Sequence, residues 1–191
     1  MSAQPRPRMS YGEYLDLEAR SAEKHEFLRG DVWAMAGGTR EHALYAINFL
    51  RRLGAALEGR PCNPYGSDLR VRIDETDRTT YPDGLVICGP SAFSPVDPLA
   101  VINPLLILEV TSESSEADDR GAKFAHYRRL PSLRDYVLVS HREPRIEVYR
   151  RAEGFWAMTD ATAGQRIVLP SLEVSLDVDT VYFDPNRPAA S

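Results

Sequence analysis

Two carboxylates occupy positions where an apolar strand makes them costly. Asp83 lies in Tyr-Pro-Asp-Gly at 81–84, directly before the apolar run Leu85, Val86 and Ile87. Glu109 lies inside Leu-Leu-Ile-Leu-Glu-Val at 105–110. A carboxylate in such surroundings has to be paired or to bind a cation, because burying an uncompensated charge is expensive. Asp83 stands at the beginning of one expected strand and Glu109 near the end of another. If the strands are antiparallel neighbours, those ends meet, and oxygen ligands of this kind suit a hard cation such as Mg²⁺, with Mn²⁺ as a substitute. Two plainer readings stand beside this one. Asp83 could be a turn carboxylate that bonds its own backbone, and Glu109 could pair with a buried arginine.

Lys123 is the third candidate. It falls on the helix expected after the Glu109 strand, and a helix crossing back over the sheet can extend a lysine toward the strand's end. Beside a phosphate, such a lysine could orient or activate water, or offset developing negative charge. The alternative is an ordinary solvated lysine. Tyr127, four residues on, shares its face. Arg120, Arg128, Arg129 and Arg134 add positive charge suited to phosphates, or form a solvated face offset by Glu113, Glu116, Asp118 and Asp119. His25 and His42 are candidate substrate contacts without metal-ligand spacing. Glu26, in the charge-rich run Ala-Glu-Lys-His-Glu-Phe, reads from its surroundings alone as a solvated helix-end residue.

The elements that must position these groups follow from pattern. Ser10 and Glu13 have capping-box spacing, which predicts a helix over 11–20. His25 to Met35 reads as a hairpin turning at Gly30 and Asp31. Thr39 is placed to cap a long helix with Ala43, Ile47, Leu50 and Leu57 on one stripe and Leu53 alongside, ending near Gly59. The segment 61–66 reads as a turn-rich connection and 69–73 as a half-solvated strand. A polar turn is expected at 74–80, a strand at 85–87, and a proline-containing rim or lid loop at 89–103. A strand buried on both faces fits 105–110, and a helix fits 120–130 up to Pro131. Short strands are expected at 136–139, 146–149, 155–158 and 167–169. Together these give an α/β (α+β) fold: a mixed twisted sheet flanked by helices, with added hairpins. The termini, 1–9 and 185–191, read as tails of a single domain spanning 1–191.

Composition narrows the function. With 191 residues, 43% apolar and 27% charged, the chain can bury a sizeable core, which argues against extended disorder. A net charge of −5 disfavours indiscriminate DNA binding, yet an acidic metal site can neutralise its substrate through the ion. The N-terminal residues lack a secretory apolar region, and no apolar run is long enough to cross a bilayer. The expected location is therefore cytoplasmic, with no membrane partner. Cys62 and Cys88 have no zinc-cluster spacing. Cys88 reads as a small buried residue, and a disulfide between the two has no support in a reducing compartment. No dinucleotide or P-loop glycine motif is present.

The chain also resembles the Uma2-like restriction endonuclease family within the PD-(D/E)XK nuclease superfamily. The resemblance rests on HEFLRGDVW at 25–33, SDLRV at 67–71, YPDGLVI at 81–87, ILEVTSESSEADDRGAKFAHYR at 107–128, PSLRDYVLVS at 131–140 and RIEVYRR at 145–151. It covers about 11–176. It implies a restriction-endonuclease-like core and a Mg²⁺-dependent endodeoxyribonuclease. Asp83 resembles the motif aspartate and Glu109 the second acidic residue. Those two carboxylates and the Val110 carbonyl would hold the metal. The superfamily's usual lysine position holds Thr111 here, and Lys123 matches a lysine moved to the next helix. Glu26 matches an early acidic residue that assists the metal. Glu113 stands where the family usually has proline. DNA is the implied substrate, and similar folds suggest a homodimer. The rival readings are an inactive nuclease fold serving as a binding or structural module, and a metal-dependent hydrolase of RNA or another phosphoester.

Overall fold

The computed structural model describes residues 8–35 and 37–186. Two mixed sheets carry most of the chain, rather than one. The first contains β1 (His25–Leu28), β2 (Asp31–Ala34), β4 (Arg70–Ile73), β5 (Arg78–Thr80), β7 (Phe93–Ser94) and β8 (Asp97–Val101), in the order β2-β1-β5-β4-β8-β7. The second contains β3 (Cys62–Gly66), β6 (Gly84–Cys88), β9 (Leu106–Val110), β10 (Asp135–Val139), β11 (Arg145–Arg151) and β12 (Trp156–Thr162), in the order β12-β11-β10-β9-β6-β3. A separate ribbon pairs β13 (Arg166–Leu169) with β14 (Val174–Asp177).

The second sheet is the frame of the site. β9 runs parallel to β10 and antiparallel to β6, with Gly84 opposite Leu108. All five residues of β9 are buried, including Glu109, as its apolar run requires. Strand alternation then sorts the core. Leu106, Leu108 and Val110 face one cluster, built with Phe49 and Leu53 from helix α2 (Arg40–Ala56) and with Leu57 at its C-cap. Ile107 faces the other, with Leu85, Ile87, Tyr136 and Tyr127. Glu109 shares the parity of Ile107 and so points to the second side.

The helices obey their local signals with some shifts. α1 (Tyr11–Arg20) has the full capping box, with Ser10 N–H donating to Glu13 at 2.7 Å. Thr39 caps α2 by accepting from the His42 N–H at 3.1 Å. The buried stripe of α2 is Tyr45, Asn48, Phe49, Leu50 and Leu53; Leu50, Leu53 and Leu57 are buried as expected, whereas Ala43 and Ile47 are exposed. Asn48 is buried because its amide donates to the carbonyls of Val181 and Phe183 at 3.0 and 2.9 Å, at the end of α5 (Val178–Val181). The helix expected from Arg120 begins earlier. It comprises α3 (Glu116–Asp118), a π-helical stretch over Asp119–Lys123 and α4 (Phe124–Tyr127).

Four other segments differ from expectation. The turn-rich 61–66 is the edge strand β3, where Pro64 lacks only an N–H that an edge can spare. The polar 74–80 contains β5, fully buried because its polar side chains find partners. The proline-containing 89–103 is no open lid: β7 and β8 extend the first sheet, and buried Asp97 accepts twice from Arg70 at 2.7 and 2.8 Å. The strand at 69–73 is not half-solvated, since Arg72 is buried beneath the Tyr11 ring, 4.0 Å from its centroid.

Cys62 and Cys88 are direct register partners on β3 and β6 and form a disulfide. Cys88 is half-buried. The expected N-terminal tail lies mostly outside the described residues, but Met9 N–H donates to Gly30 at 2.9 Å, tying residue 9 to the first hairpin. Among the described residues, no helix is long and apolar enough to cross a membrane.

Candidate functional site

The structure brings Asp83, Glu109 and Lys123 to one place, at the end of β9. Asp83 precedes β6, and its Oδ2 accepts the Val110 N–H at 2.7 Å across the strand pair. Its Oδ1 lies 2.9 Å from His42 Nε2 on the first turn of α2. The site thus sits where the long helix, β6 and β9 converge. Gly84 is required for that approach: a Cβ there would meet Leu50 Cδ2 at 2.7 Å.

Glu109 is 3% exposed, and Tyr127 donates its hydroxyl to Oε1 at 2.8 Å. Lys123 Nζ lies 3.2 Å from the same oxygen. The second partner of Lys123 is Asp119, whose Oδ1 is 3.3 Å away and has no other partner; its Oδ2 accepts from Ser115 at 2.7 Å. The π-helical stretch spans Asp119 to Lys123, and Tyr136 donates to the Asp119 carbonyl at 2.9 Å. Such stretches widen a helix and frequently occur at functional sites.

Electrostatics define the state of these groups. Burial pushes Glu109 up to about 8, with Lys123 opposing and the Asp83 and Asp119 carboxylates adding to the rise. Burial also raises Asp119, against the pull of Lys123 and Ser115. Burial alone would discharge Lys123, but Glu109, Glu26 and Asp119 outweigh it and raise its pKa. The ammonium is therefore held as a fixed cation, unsuited to removing a proton. The hydrogen bond to Asp83 raises His42, while burial opposes it.

Glu26 is not solvated. On β1 it is 4% exposed, accepts from Arg78 at 3.0 Å and from Thr80 at 2.5 Å. Thr80 Oγ1 is 3.4 Å from the Tyr127 hydroxyl, which links Glu26 to the Glu109 group. Val110 presents its N–H to Asp83. Thr111 is buried and contacts His141 Nδ1 at 2.9 Å, a structural position. Glu113 is exposed on a turn closed by Ser112 and Ser115, each accepting the other's N–H at 3.1 and 3.0 Å. The arginines are partly consumed: Arg120 pairs with Glu116 and Glu147, and Arg129 with Glu75. His25 is bound to Glu18 at 2.9 Å rather than to this site.

The sequence offered Asp119 only as an offsetting charge and His42 only as a candidate substrate contact. The spacing of Asp119 and Lys123, i and i+4 on a helix, was the available signal for the first. His42 carried none, because its contact with Asp83 spans 41 residues and depends on how α2 lies against β6.

Can these residues hold a hard divalent cation? Among the described residues, no three His, Cys, Asp or Glu side chains are gathered as a ligand cage. Mg²⁺ does not need one, since it commonly takes one or two carboxylates and keeps several waters. Asp83 and Glu109 supply such a pair. Their donor set, together with the surplus of carboxylates around one lysine, fits a hard cation.

The site thus consists of buried carboxylates and a lysine at the end of a central strand of a mixed α+β fold. The model of the Uma2 family, described as "Putative restriction endonuclease", matches residues 11–179, and the chain belongs to that family. Two uncharacterized proteins of Synechocystis are similar: one is 36% identical over 179 residues, 93% of each chain, and the other 33% identical over 153 residues, 80% of this chain and 86% of its own. The crystal structure of a "putative nuclease belonging to DUF820" from Anabaena variabilis has the same fold. Its TM-score is 0.71 at 16% identity, covering 90% of this chain and 96% of the other.

Proposed function

We propose that this chain is a metal-dependent endonuclease hydrolysing phosphodiester bonds in DNA, with Mg²⁺ as the ion. The observation that supports this reading is that Asp83 accepts the N–H of Val110, the residue next to Glu109, while the Lys123 ammonium is 3.2 Å from the Glu109 carboxylate. Asp83, Glu109 and the Val110 carbonyl would hold the ion. A strand residue exchanges its N–H and C=O with the same neighbour, so the Val110 N–H bonded to Asp83 puts its carbonyl on that side too. When bound, the ion supplies Lewis-acid charge at the phosphoryl oxygens.

The chain's own groups have separable tasks. In hydrolysis, a water oxygen forms a new bond to phosphorus, the bond to one sugar oxygen breaks, and that oxygen is protonated. Lys123, fixed as a cation, orients the attacking water and offsets charge on the phosphoryl oxygens. Tyr127 holds the Glu109 carboxylate by its hydroxyl, and His42 holds Asp83 from the other side. Glu26 supports the site through Thr80 and its field at Lys123.

The test is plasmid nicking and linearisation with Mg²⁺ or Mn²⁺, comparing wild type with Asp83→Ala and Glu109→Ala. Cleavage is expected for wild type only, and EDTA should stop it. Cleavage of RNA but not DNA would replace the substrate. Cleavage that survives in either variant, or in EDTA, would overturn the assignment.

A further inference from the structure

The helix that carries Lys123 is not a regular α-helix. Its α3 and α4 segments are joined by the π-helical stretch Asp119–Lys123, a wider turn closed by i→i+5 hydrogen bonds. Three side chains show the effect. Asp119 Oδ1 lies 3.3 Å from Lys123 Nζ, and Lys123 Nζ lies 3.2 Å from Glu109 Oε1. The Tyr127 hydroxyl donates to that same oxygen at 2.8 Å. On an uninterrupted α-helix, at about 100° per residue, positions eight apart drift roughly 80° around the axis. Asp119 and Tyr127 would then face different ways. A turn that holds an extra residue absorbs this drift, so Asp119, Lys123 and Tyr127 stay in one group around Glu109.

Tyr136 grips this turn at both ends. It lies on β10 and is fully buried. Its hydroxyl donates to the carbonyl of Asp119, the first residue of the stretch, at 2.9 Å. Its ring stacks on Phe124, the residue after the stretch, with centroids 5.1 Å apart and planes inclined by 14°. Tyr136 is also referenced to the Glu109 strand. β10 runs parallel to β9, with Tyr136 opposite Ile107 and Leu138 opposite Glu109. Tyr136, Leu138 and Ile107 share the side of the sheet toward which Glu109 points. One side chain therefore relates the Lys123 helix to the strand that carries its partner. Packing alone does not call for the hydroxyl, since a phenylalanine would fill the same space and keep the stack.

We infer that Tyr136 is a positioning residue: its hydroxyl pins the π-helical turn and so aims the Lys123 ammonium at the Glu109 carboxylate. The effect on cleavage rests on the nuclease reading above, whereas the aim of Lys123 belongs to the fold alone. Without the hydroxyl, the Asp119 carbonyl loses this donor, the stretch relaxes toward regular α-helix, and Lys123 swings off Glu109.

The experiment uses the full chain without metal, labelled with ¹⁵Nζ-lysine. The lysines of the sequence are Lys24 and Lys123, so Lys123→Met assigns the ammonium signals. In wild type the buried Lys123 ammonium protons should exchange slowly with water. Tyr136→Phe should speed that exchange about 5-fold or more, the equivalent of one donor lost from a buried carbonyl. Asn48→Ala breaks the α2 contact with Val181 and Phe183 instead, and should leave Lys123 exchange as in wild type. In plasmid cleavage with Mn²⁺, Tyr136→Phe should lower kcat about 10- to 100-fold, the scale for a misplaced group. KM and Mn²⁺ affinity should stay within about twofold of wild type, because ground-state binding is untouched. Unchanged exchange in Tyr136→Phe would overturn the pin, and so would equal acceleration in Asn48→Ala, the mark of general loosening. Faster exchange with unchanged kcat would overturn the positioning role. Wild type that cleaves neither DNA nor RNA would overturn the nuclease reading, while the exchange comparison would still decide whether Tyr136 aims Lys123.

Discussion

Replacing Lys123 with methionine keeps the aliphatic stem and removes the charge that two buried carboxylates share. Glu109 is 3% exposed and Asp119 1%, with the ammonium 3.2 and 3.3 Å away. Removing one partner of a buried ion pair typically costs about 3–5 kcal/mol. The lower end applies here, because burial already disfavours the charged form of Glu109, so taking up a proton relieves part of the cost once the ammonium is gone. Asp119 is then the charge left without a partner on Oδ1. For a domain of this size a loss of about 3 kcal/mol lowers Tm by roughly 6–12 °C. Cleavage should fall further than stability does, by about 100-fold or more, as expected for a positioned electrostatic group. Mn²⁺ binding should persist, since the ligand carboxylates remain. Lys123→Arg should not fully rescue cleavage, because a planar guanidinium presents its charge differently. The measurements are thermal unfolding without metal, calorimetry with Mn²⁺, and plasmid cleavage at a temperature where both proteins are folded. A variant with unchanged Tm would refute the buried pairing, and one with unchanged cleavage would remove Lys123 from the mechanism.

Three further outcomes are expected. Asp83→Ala should abolish the Mn²⁺ binding isotherm, and an isotherm like that of wild type would reject Asp83 as a ligand. Asn48→Ala should cost about 2 kcal/mol in denaturant unfolding, because two buried carbonyls lose their donor at 3.0 and 2.9 Å; a cost near zero would show that water replaces the amide. Asp135 is fully buried and its pKa is raised by burial, with Ser171 opposing. A carboxyl raised in the folded state contributes stability below its unfolded pKa and loses it as pH rises through the folded value. The Tm of Asp135→Asn relative to wild type should therefore rise from about pH 4 to pH 7, and a constant difference would contradict the burial argument.

The sequence by itself determined many of the local elements and which residues were candidates for the site. Local chemistry suffices for a capping box at Ser10 and Glu13, a threonine cap at Thr39 and a turn at Gly30, and all three are present. A glutamate inside an apolar strand announces a special site wherever the strand ends up. Tertiary structure decided the partners. Residues 74–77 are the expected turn, but Arg78, Thr79 and Thr80 form a buried strand because Glu26 and Tyr11 reach them from 52 to 68 residues away. In the first half of α2 the stripe departs from expectation because Asn48 finds the Val181 and Phe183 carbonyls, making a polar residue part of the core and leaving Ile47 outside. Residues 93–101 became strands through pairing with β4, a register that no local signal specifies. The same holds for the site. Asp83, Glu109 and Lys123 can be picked out by type and spacing, whereas Asp119, His42 and the Glu26–Arg78 pair acquire meaning only when distant segments meet. A buried charge states that it must have a partner, and only the packed fold supplies which one.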